Sequence, residues 1–131
     1  MTHILRIKNV SRVFPGVRGS DPVRALEPTN LQVEQNDFIT ILGPSGCGKS
    51  TLLRIVAGLD RPSAGRVLLD GRAVTGPGAD RGMVFQSYTL FPWLTVADNI
   101  AFGLRERGVP RSERREIVAA YVAEVGLAGF E

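Results

Sequence analysis

Short apolar runs separated by turn residues make up roughly the first two thirds of the chain. Such runs, rich in branched and aromatic side chains, are typical of strands. The pattern predicts strands over residues 4–14, 29–33, 38–42, 66–69 and 83–85. The turn-rich stretch 15–23, which contains Gly and Pro, predicts a surface loop between the first two strands.

The remainder of the chain has the spacing of helices. Thr95 with Asp98 three residues later resembles a capping box and predicts a helix over residues 96–104. A second helix is predicted to begin at the cap residue Ser112 and to end at Gly126. The sequence therefore changes from a β-rich part to a helical part.

A glycine-rich sequence directly follows the apolar run 38–42. It fits the pattern G-x-x-x-x-G-K-[S/T] and consists of Gly43, Pro44, Ser45, Gly46, Cys47, Gly48, Lys49, Ser50 and Thr51. The apolar side of residues 49–57 predicts a helix immediately after it. A strand, a glycine turn and a helix start surround an anion with backbone N–H groups and the positive end of the helix dipole. We therefore interpret residues 43–51 as a phosphate-binding loop; the alternative is a glycine-rich turn without a ligand.

Lys49 and Ser50 have the side chains that such a loop requires. The Lys49 ammonium would contact the β- and γ-phosphates, and the Ser50 hydroxyl would bind Mg²⁺. Lys8 and Lys49 are the only lysines among 16 basic residues. In an arginine-rich chain, a lysine at this position agrees with a need for a compact point charge.

The dipeptide Asp70-Gly71 has two interpretations. Asp70 follows the apolar residues 67–69, as does the aspartate that holds Mg²⁺ in many P-loop enzymes. The same dipeptide is a strong turn signal for a hairpin between residues 66–69 and 72–74. We favour the turn, because Asp70 follows the phosphate-binding loop at only a short distance along the sequence and no catalytic carboxylate comes after it.

Composition limits the class of protein. The chain has 131 residues, of which 44% are hydrophobic, and this indicates a globular protein. It has no apolar run long enough to span a membrane and no visible signal peptide, so a cytoplasmic location is expected. The single Cys47 agrees with a reducing compartment, and His3 is expected to be an exposed terminal residue.

The net charge of +3 does not indicate a nucleic-acid partner. The arginines are scattered among 13 acidic residues. The densest basic cluster, residues 111–115, contains Glu113 and is typical of the solvated start of a helix. No nucleic acid is therefore expected among the partners.

Further motifs resemble those of one family. The string GPSGCGKSTLLRIVAGLDRPSAGRVLLDG, followed by RGMVFQ and LFPWLTVADNIAFGL, strongly resembles the ATP-binding subunit of ABC transporters. GPGADRGMVFQ and LFPWLTV are most similar to importers of the nitrate, sulfonate and taurine group. The resemblance runs from Val10 to Leu127 and implies an α/β fold, a P-loop NTPase of the ABC type. Residues 1–86 would form its antiparallel β subdomain with the P-loop and the Q-loop strand, and residues 87–131 would begin its α-helical subdomain.

The resemblance assigns roles to individual residues. Gln86 matches the Q-loop glutamine at a strand end, whose amide meets Mg²⁺ or the attacking water, so Gln86 and Lys49 are the catalytic candidates. Phe14 matches the aromatic residue that stacks on adenine, although a core aromatic is the alternative. Thr51 would hydrogen-bond the α-phosphate, and the N–H groups of residues 46–51 would hold the β-phosphate.

The resemblance also implies partners and a location. Phe91, Pro92 and Trp93 match the place where the helical subdomain grips a coupling helix of the transmembrane permease, with core packing as the alternative. ATP and Mg²⁺ are the implied cofactors, and a second copy of the ATP-binding subunit is the other implied partner. The permease would hold the protein on the inner face of the cell membrane.

The resemblance finally implies that the chain is the N-terminal half of the domain. In family members the signature, the Walker B aspartate, the catalytic glutamate and the switch histidine lie beyond the position of Glu131. The complete subunit is expected to hydrolyse ATP and to power solute import, whereas the 131-residue chain alone is expected to hydrolyse little if any. A non-catalytic fragment that binds nucleotide or a partner, and a soluble ABC-type ATPase, are the alternatives.

Overall fold

The computed structural model describes residues 4–131, so the expectation for His3 lies outside the described residues. The chain divides into two compact units, one that ends at Met83 and one from Val84 to Glu131. Over residues 4–131, no helix has both the length and the hydropathy that crossing a bilayer requires. Each unit is described by itself below.

A four-stranded antiparallel sheet with the strand order β2-β1-β3-β4 forms the framework of the first unit. Its strands are β1 (Leu5–Phe14), β2 (Val23–Val33), β3 (Ala64–Leu69) and β4 (Arg72–Ala73). The predicted strands 4–14 and 66–69 are confirmed, and so is the hairpin turn, because Leu69 pairs with Arg72 across Asp70 and Gly71. Both turn residues have positive φ, 48° and 77°, as a tight two-residue hairpin turn requires.

Strand β2 begins at Val23 rather than at residue 29. Pro28 concealed its first half, because proline cannot donate a hydrogen bond to a sheet and its presence argues against a central strand. In the structure β2 is an edge strand, where proline is tolerated, and Leu26 within it is buried in the core. The predicted loop 15–23 is accordingly confirmed over residues 15–22 and ends where β2 starts at Val23.

Two of the predicted strands are not formed. Residues 38–42 and 83–85 belong to no strand, and the sheet order does not include them. The apolar pattern of residues 38–42 is typical of a buried strand, but a strand also needs a neighbour to complete its hydrogen bonds. Ile41 packs against the core, whereas Phe38 and Leu42 are 94% and 87% exposed.

One helix, α1 (Lys49–Val56), packs against the sheet and confirms the helix predicted after the glycine-rich loop. Leu52 and Ile55, three residues apart on its inner face, are buried. They join side chains from three strands in a single apolar core of Ile7, Val10, Leu26, Leu52, Ile55 and Val67. This packing fixes the start of α1, and with it the loop, against the sheet.

The second unit contains the two predicted helices, α2 (Val96–Glu106) and α3 (Arg111–Glu124). The cap of α2 is confirmed, since the Asp98 N–H donates to Thr95 Oγ1 at 3.1 Å. The predicted cap of α3, Ser112, is wrong: the helix already begins at Arg111, with Pro110 in the capping position. Proline has a fixed φ that suits a helix start, and it lacks the N–H that would otherwise be left unpaired there.

Candidate functional site

The candidate phosphate-binding loop, residues 43–51, ends in a helix N-terminus without a side-chain cap. Gly48 occupies the N-cap position of α1, and the first intrahelical bond runs from Leu52 N–H to the Gly48 carbonyl at 2.9 Å. The backbone N–H groups of residues 49–51 precede that bond and have no partner within the helix. No acidic side chain lies in the first turn. This arrangement of donors and helix dipole suits an anion.

Two glycines give the loop its path. Gly46 and Gly48 have φ values of 80° and 97°, in the left-handed region that side chains disfavour. Gly48 also lies against strand β2, since a Cβ there would be 2.4 Å from the Ala25 carbonyl oxygen. Ala25 sits at an irregularity of the β1–β2 pairing, where the register passes from Arg12 with Leu26 to Val13 with Arg24. The bulged edge strand therefore supports the loop at its junction with the helix.

Lys49 spans the loop from its end to its beginning. Its Nζ donates to the carbonyl oxygens of Gly43 at 2.5 Å and Pro44 at 2.8 Å, and it lies 3.3 Å from the Cys47 Sγ. Cys47 is exposed, and its thiol lies 2.6 Å from the position that a Cβ on Gly43 would take. The ammonium and the thiol thus lie together within the loop.

The hydroxyl residues of the loop lie in an exposed part of the loop and in the first turn of α1. Ser45 and Ser50 are exposed, and Thr51 is half-buried on the first turn of α1. Ser50 follows Lys49 directly in the first turn of α1. A hydroxyl at this place fits the preference of Mg²⁺ for oxygen ligands.

Phe14 lies at the end of the sheet that contacts the loop. It is the last residue of β1 and pairs with Val23 of β2, two residues from Ala25, the residue that contacts Gly48. Two residues of a strand span roughly 7 Å. Phe14 is 38% exposed and does not belong to the apolar core. The structure therefore favours a surface aromatic next to the loop over a core aromatic.

Gln86 lies in the second unit, in an irregular and exposed segment. The prediction that it ends a strand is wrong, because residues 83–85 find no strand to pair with. The structure places Phe14 and the phosphate-binding loop in the first unit, and Gln86 with the aromatic segment 91–93 in the second.

The aromatic segment before α2 is half-buried at one end and exposed at the other. Phe91 packs against Phe102 of α2, with ring centroids 4.5 Å apart, and against Trp93 at 5.5 Å. Pro92 is exposed and Trp93 is 76% exposed. Phe91 therefore serves as an anchor in this unit, while Trp93 lies on the surface.

Asn99 holds this segment in place and was missed from the sequence. Its Oδ1 accepts from the Phe91 N–H at 2.9 Å, and its Nδ2 lies within 3.2 Å of the carbonyl oxygens of Phe91, Leu94 and Thr95. The only sequence signal was a polar amide within the first turns of a helix that follows an aromatic turn. Such residues often bond to the backbone of a preceding turn.

Comparison with known proteins places these features in one family. The sequence profile described as ABC transporter matches residues 26–131. The nitrate import ATP-binding protein of Synechocystis is 52% identical over 126 residues, which is 96% of this chain and 47% of that protein. The taurine import ATP-binding protein of Burkholderia thailandensis is 52% identical over 122 residues, which is 93% of this chain and 46% of that protein.

A solved structure has the same fold. The ATP-binding cassette MJ0796, in a dimeric post-hydrolysis state bound to ADP and Pi, superposes with a TM-score of 0.76 at 30% identity. The match covers 88% of this chain and 54% of that chain. The chain thus spans about half the length of the relatives that it matches.

Proposed function

This chain belongs to the ABC transporter family, and from that premise we propose that residues 43–51 bind the phosphates of Mg-ATP. The observation that carries the proposal is the uncapped start of α1, where Gly48 leaves the first N–H groups of the helix open and Lys49 lies across the loop. Both features match the needs of a triphosphate, which presents several anionic oxygens within a few ångström.

Each loop residue then has a defined task. The Lys49 ammonium exchanges its carbonyl partners, Gly43 and Pro44, for β- and γ-phosphate oxygens. The N–H groups of residues 46–51 hold the β-phosphate, and the Thr51 hydroxyl meets the α-phosphate. Ser50 provides a protein ligand for Mg²⁺, which when bound neutralises phosphate charge and fixes the orientation of the phosphates.

Phe14 and Gln86 have further proposed roles, each in its own unit. The exposed Phe14 ring, close to the loop along β2, offers an apolar face on which adenine stacks. Gln86 contributes an amide to Mg²⁺ or to the attacking water. We propose the division of the chain at residue 86, with the β-rich nucleotide-binding part before it and the beginning of the helical subdomain after it.

The complete protein is proposed to be the ATPase subunit of an importer for nitrate-, sulfonate- or taurine-like solutes. The nitrate and taurine import proteins, both 52% identical to this chain, support this substrate class. Hydrolysis of ATP, pairing with a second copy and location on the inner face of the membrane through a permease follow from the same proposal. The dimeric state of the matching cassette supports the pairing.

The exposed end of the aromatic segment is the proposed permease contact. Trp93 and Pro92 present an apolar surface, and Phe91 fixes its base by packing on Phe102. Aromatic side chains on a firmly held turn are typical of the centre of a protein interface.

Calorimetry of the 131-residue chain tests the nucleotide site. Mg-ATP at about one hundred times its dissociation constant is expected to raise the free energy of unfolding by about 2.7 kcal/mol. The variant Lys49→Ala is expected to lose this effect. Lys8→Ala, which removes the other lysine from strand β1, is the matched control and keeps it. Equal stabilisation of the Lys49 variant and the unmutated chain would contradict the proposal.

A further inference from the structure

Arg12 covers one face of the Phe14 ring. Its guanidinium carbon lies 4.5 Å from the ring centroid, which is the distance of a cation–π contact. The two residues are separated by one position on β1, so their side chains leave the strand on the same side. Phe14 as a whole residue remains 38% exposed.

Asp60 holds the guanidinium in this position. Arg12 Nε donates to Asp60 Oδ2 at 3.2 Å, and Arg12 Nη2 lies 2.9 Å from Asp60 Oδ1. The two side chains are only 23% and 20% exposed. A two-point contact fixes the plane of the guanidinium as well as its position.

The backbone of Asp60 is tied in turn to helix α1. The Asp60 N–H donates to the Arg54 carbonyl in the last turn of the helix. Three residues later, Ser63 Oγ accepts from the Val13 N–H at 2.9 Å and lies 3.2 Å from the Val13 carbonyl oxygen. The end of β1 that carries Phe14 is therefore fastened to the chain that leaves the helix of the phosphate-binding loop.

We propose that Arg12 is a positioning residue for the adenine base. Held by Asp60, its guanidinium occupies one face of the Phe14 ring and keeps the ring at a fixed distance from the loop, so that the base stacks on the opposite face. This inference rests on the proposed nucleotide site. On this inference, Arg12 contributes to the affinity for adenine from outside the phosphate-binding loop and has no effect on the affinity for the phosphates.

The planar group matters for this role. A lysine at position 12 would keep the charge, but its ammonium can neither lie flat on the ring nor donate to both carboxylate oxygens with fixed geometry. The Arg12→Lys variant is therefore expected to show an intermediate affinity for ATP. Asp60→Asn, which keeps the size of the side chain and weakens its grip on the guanidinium, is expected to act in the same direction.

The test compares a ligand that has a base with one that does not. Affinities for Mg-ATP and for Mg-tripolyphosphate are measured by calorimetry on the 131-residue chain and its variants. Arg12→Ala is expected to weaken ATP binding roughly two- to thirty-fold, in line with loss of a cation–π contact. Phe14→Ala is expected to weaken it roughly five- to hundred-fold, in line with loss of base stacking. Tripolyphosphate affinity stays unchanged in both variants.

The double variant separates positioning from a general structural role. If Arg12 acts through the ring, Arg12→Ala in the Phe14→Ala background causes no further loss of ATP affinity. Arg66→Ala, which removes an exposed arginine from strand β3, is the matched control and leaves both affinities unchanged. Should Arg12→Ala fail to fold, Arg12→Lys and Asp60→Asn provide the same comparison.

Three results would overturn the inference. An equal loss of ATP and tripolyphosphate affinity in the Arg12 variants, or losses that simply add in the double variant, would contradict the positioning role and leave the proposed function intact. An unmutated chain that binds neither ligand would contradict both.

Discussion

Gly48 is the residue on which the geometry of the phosphate-binding loop depends most. Its φ of 97° lies in the left-handed region, and a Cβ there would be 2.4 Å from the Ala25 carbonyl oxygen and 3.1 Å from Leu26 Cδ1. The substitution Gly48→Ala therefore introduces two separate penalties, backbone strain and overlap with strand β2. We predict that it destabilises the first unit and displaces the loop.

The two penalties have different sizes. An alanine in the left-handed region costs about 1–2 kcal/mol. Overlap with a backbone atom at 2.4 Å cannot be relieved by a rotamer change, so the helix or the strand must shift, and overpacking of this kind adds about 1–3 kcal/mol. The expected loss of about 2–5 kcal/mol is a large part of the total stability of a typical domain, about 5–15 kcal/mol.

Gly46→Ala is the control that removes one of the two penalties. Gly46 has a similar φ of 80°, but no atom lies within 4 Å of a Cβ placed there. Its substitution is expected to cost only the strain, about 1–2 kcal/mol. Both substitutions also restrict the unfolded chain in the same way, and that contribution cancels in the difference.

Thermal and urea unfolding of the three chains measure these losses. At roughly 4 °C per kcal/mol for a chain of this size, Gly48→Ala is expected to unfold clearly below Gly46→Ala. Mg-ATP is expected to stabilise Gly48→Ala less than the unmutated chain, because the first N–H groups of α1 move with the loop. Equal unfolding free energies for the two variants would refute the close contact between Gly48 and Ala25.

Three further predictions concern other parts of the chain. Alkylation of the exposed Cys47, whose thiol lies 3.3 Å from Lys49 Nζ, is expected to block Mg-ATP binding. Cys47→Ser is expected to bind Mg-ATP and to be insensitive to the alkylating reagent. Unchanged binding after alkylation would refute the position of Cys47 within the nucleotide site. Asn99→Ala is expected to lower the free energy of unfolding by about 1–3 kcal/mol and to change the fluorescence of Trp93, the only tryptophan, because backbone groups in residues 91–95 lose their hydrogen-bond partner. Asn99→Asp retains the acceptor for the Phe91 N–H and should change the fluorescence less. Unaltered emission in both variants would count against the role of Asn99. Asp70→Asn is expected to leave the Mg²⁺ dependence of ATP binding unchanged, because Asp70 lies in the β3–β4 turn; loss of that dependence would show that it is a metal ligand.

Local signals in the sequence were sufficient for elements whose hydrogen bonds join residues close in sequence. The helix after the loop, the Thr95 cap and the hairpin at Asp70 and Gly71 all formed as predicted, because their hydrogen bonds join residues close in sequence. The predicted cap Ser112 was wrong, since α3 begins at Arg111 after Pro110, whose fixed φ suits a helix start without a polar cap. The role of Asn99 was not predicted, because its hydrogen bonds are to backbone atoms, and such bonds leave no pattern of side chains in the sequence.

Elements that depend on a neighbour in space were predicted less well. Residues 38–42 have the composition of a buried strand, but no described strand pairs with them. Strand β2 extends through Pro28 only because it lies at the edge of the sheet, which is a property of strand order and not of local sequence.

The sequence by itself determined which chemical groups the loop contains. Its glycines, Lys49 and Ser50 predict a phosphate-binding loop at a helix start, because spacing along the chain sets which backbone donors and side chains would meet an anion. Only the tertiary structure decided what surrounds the loop. The contact of Ala25 with Gly48 and the ion pair of Arg12 with Asp60 join residues far apart in sequence. Contacts of that kind arise from the packing of α1 on the sheet, which no local pattern encodes.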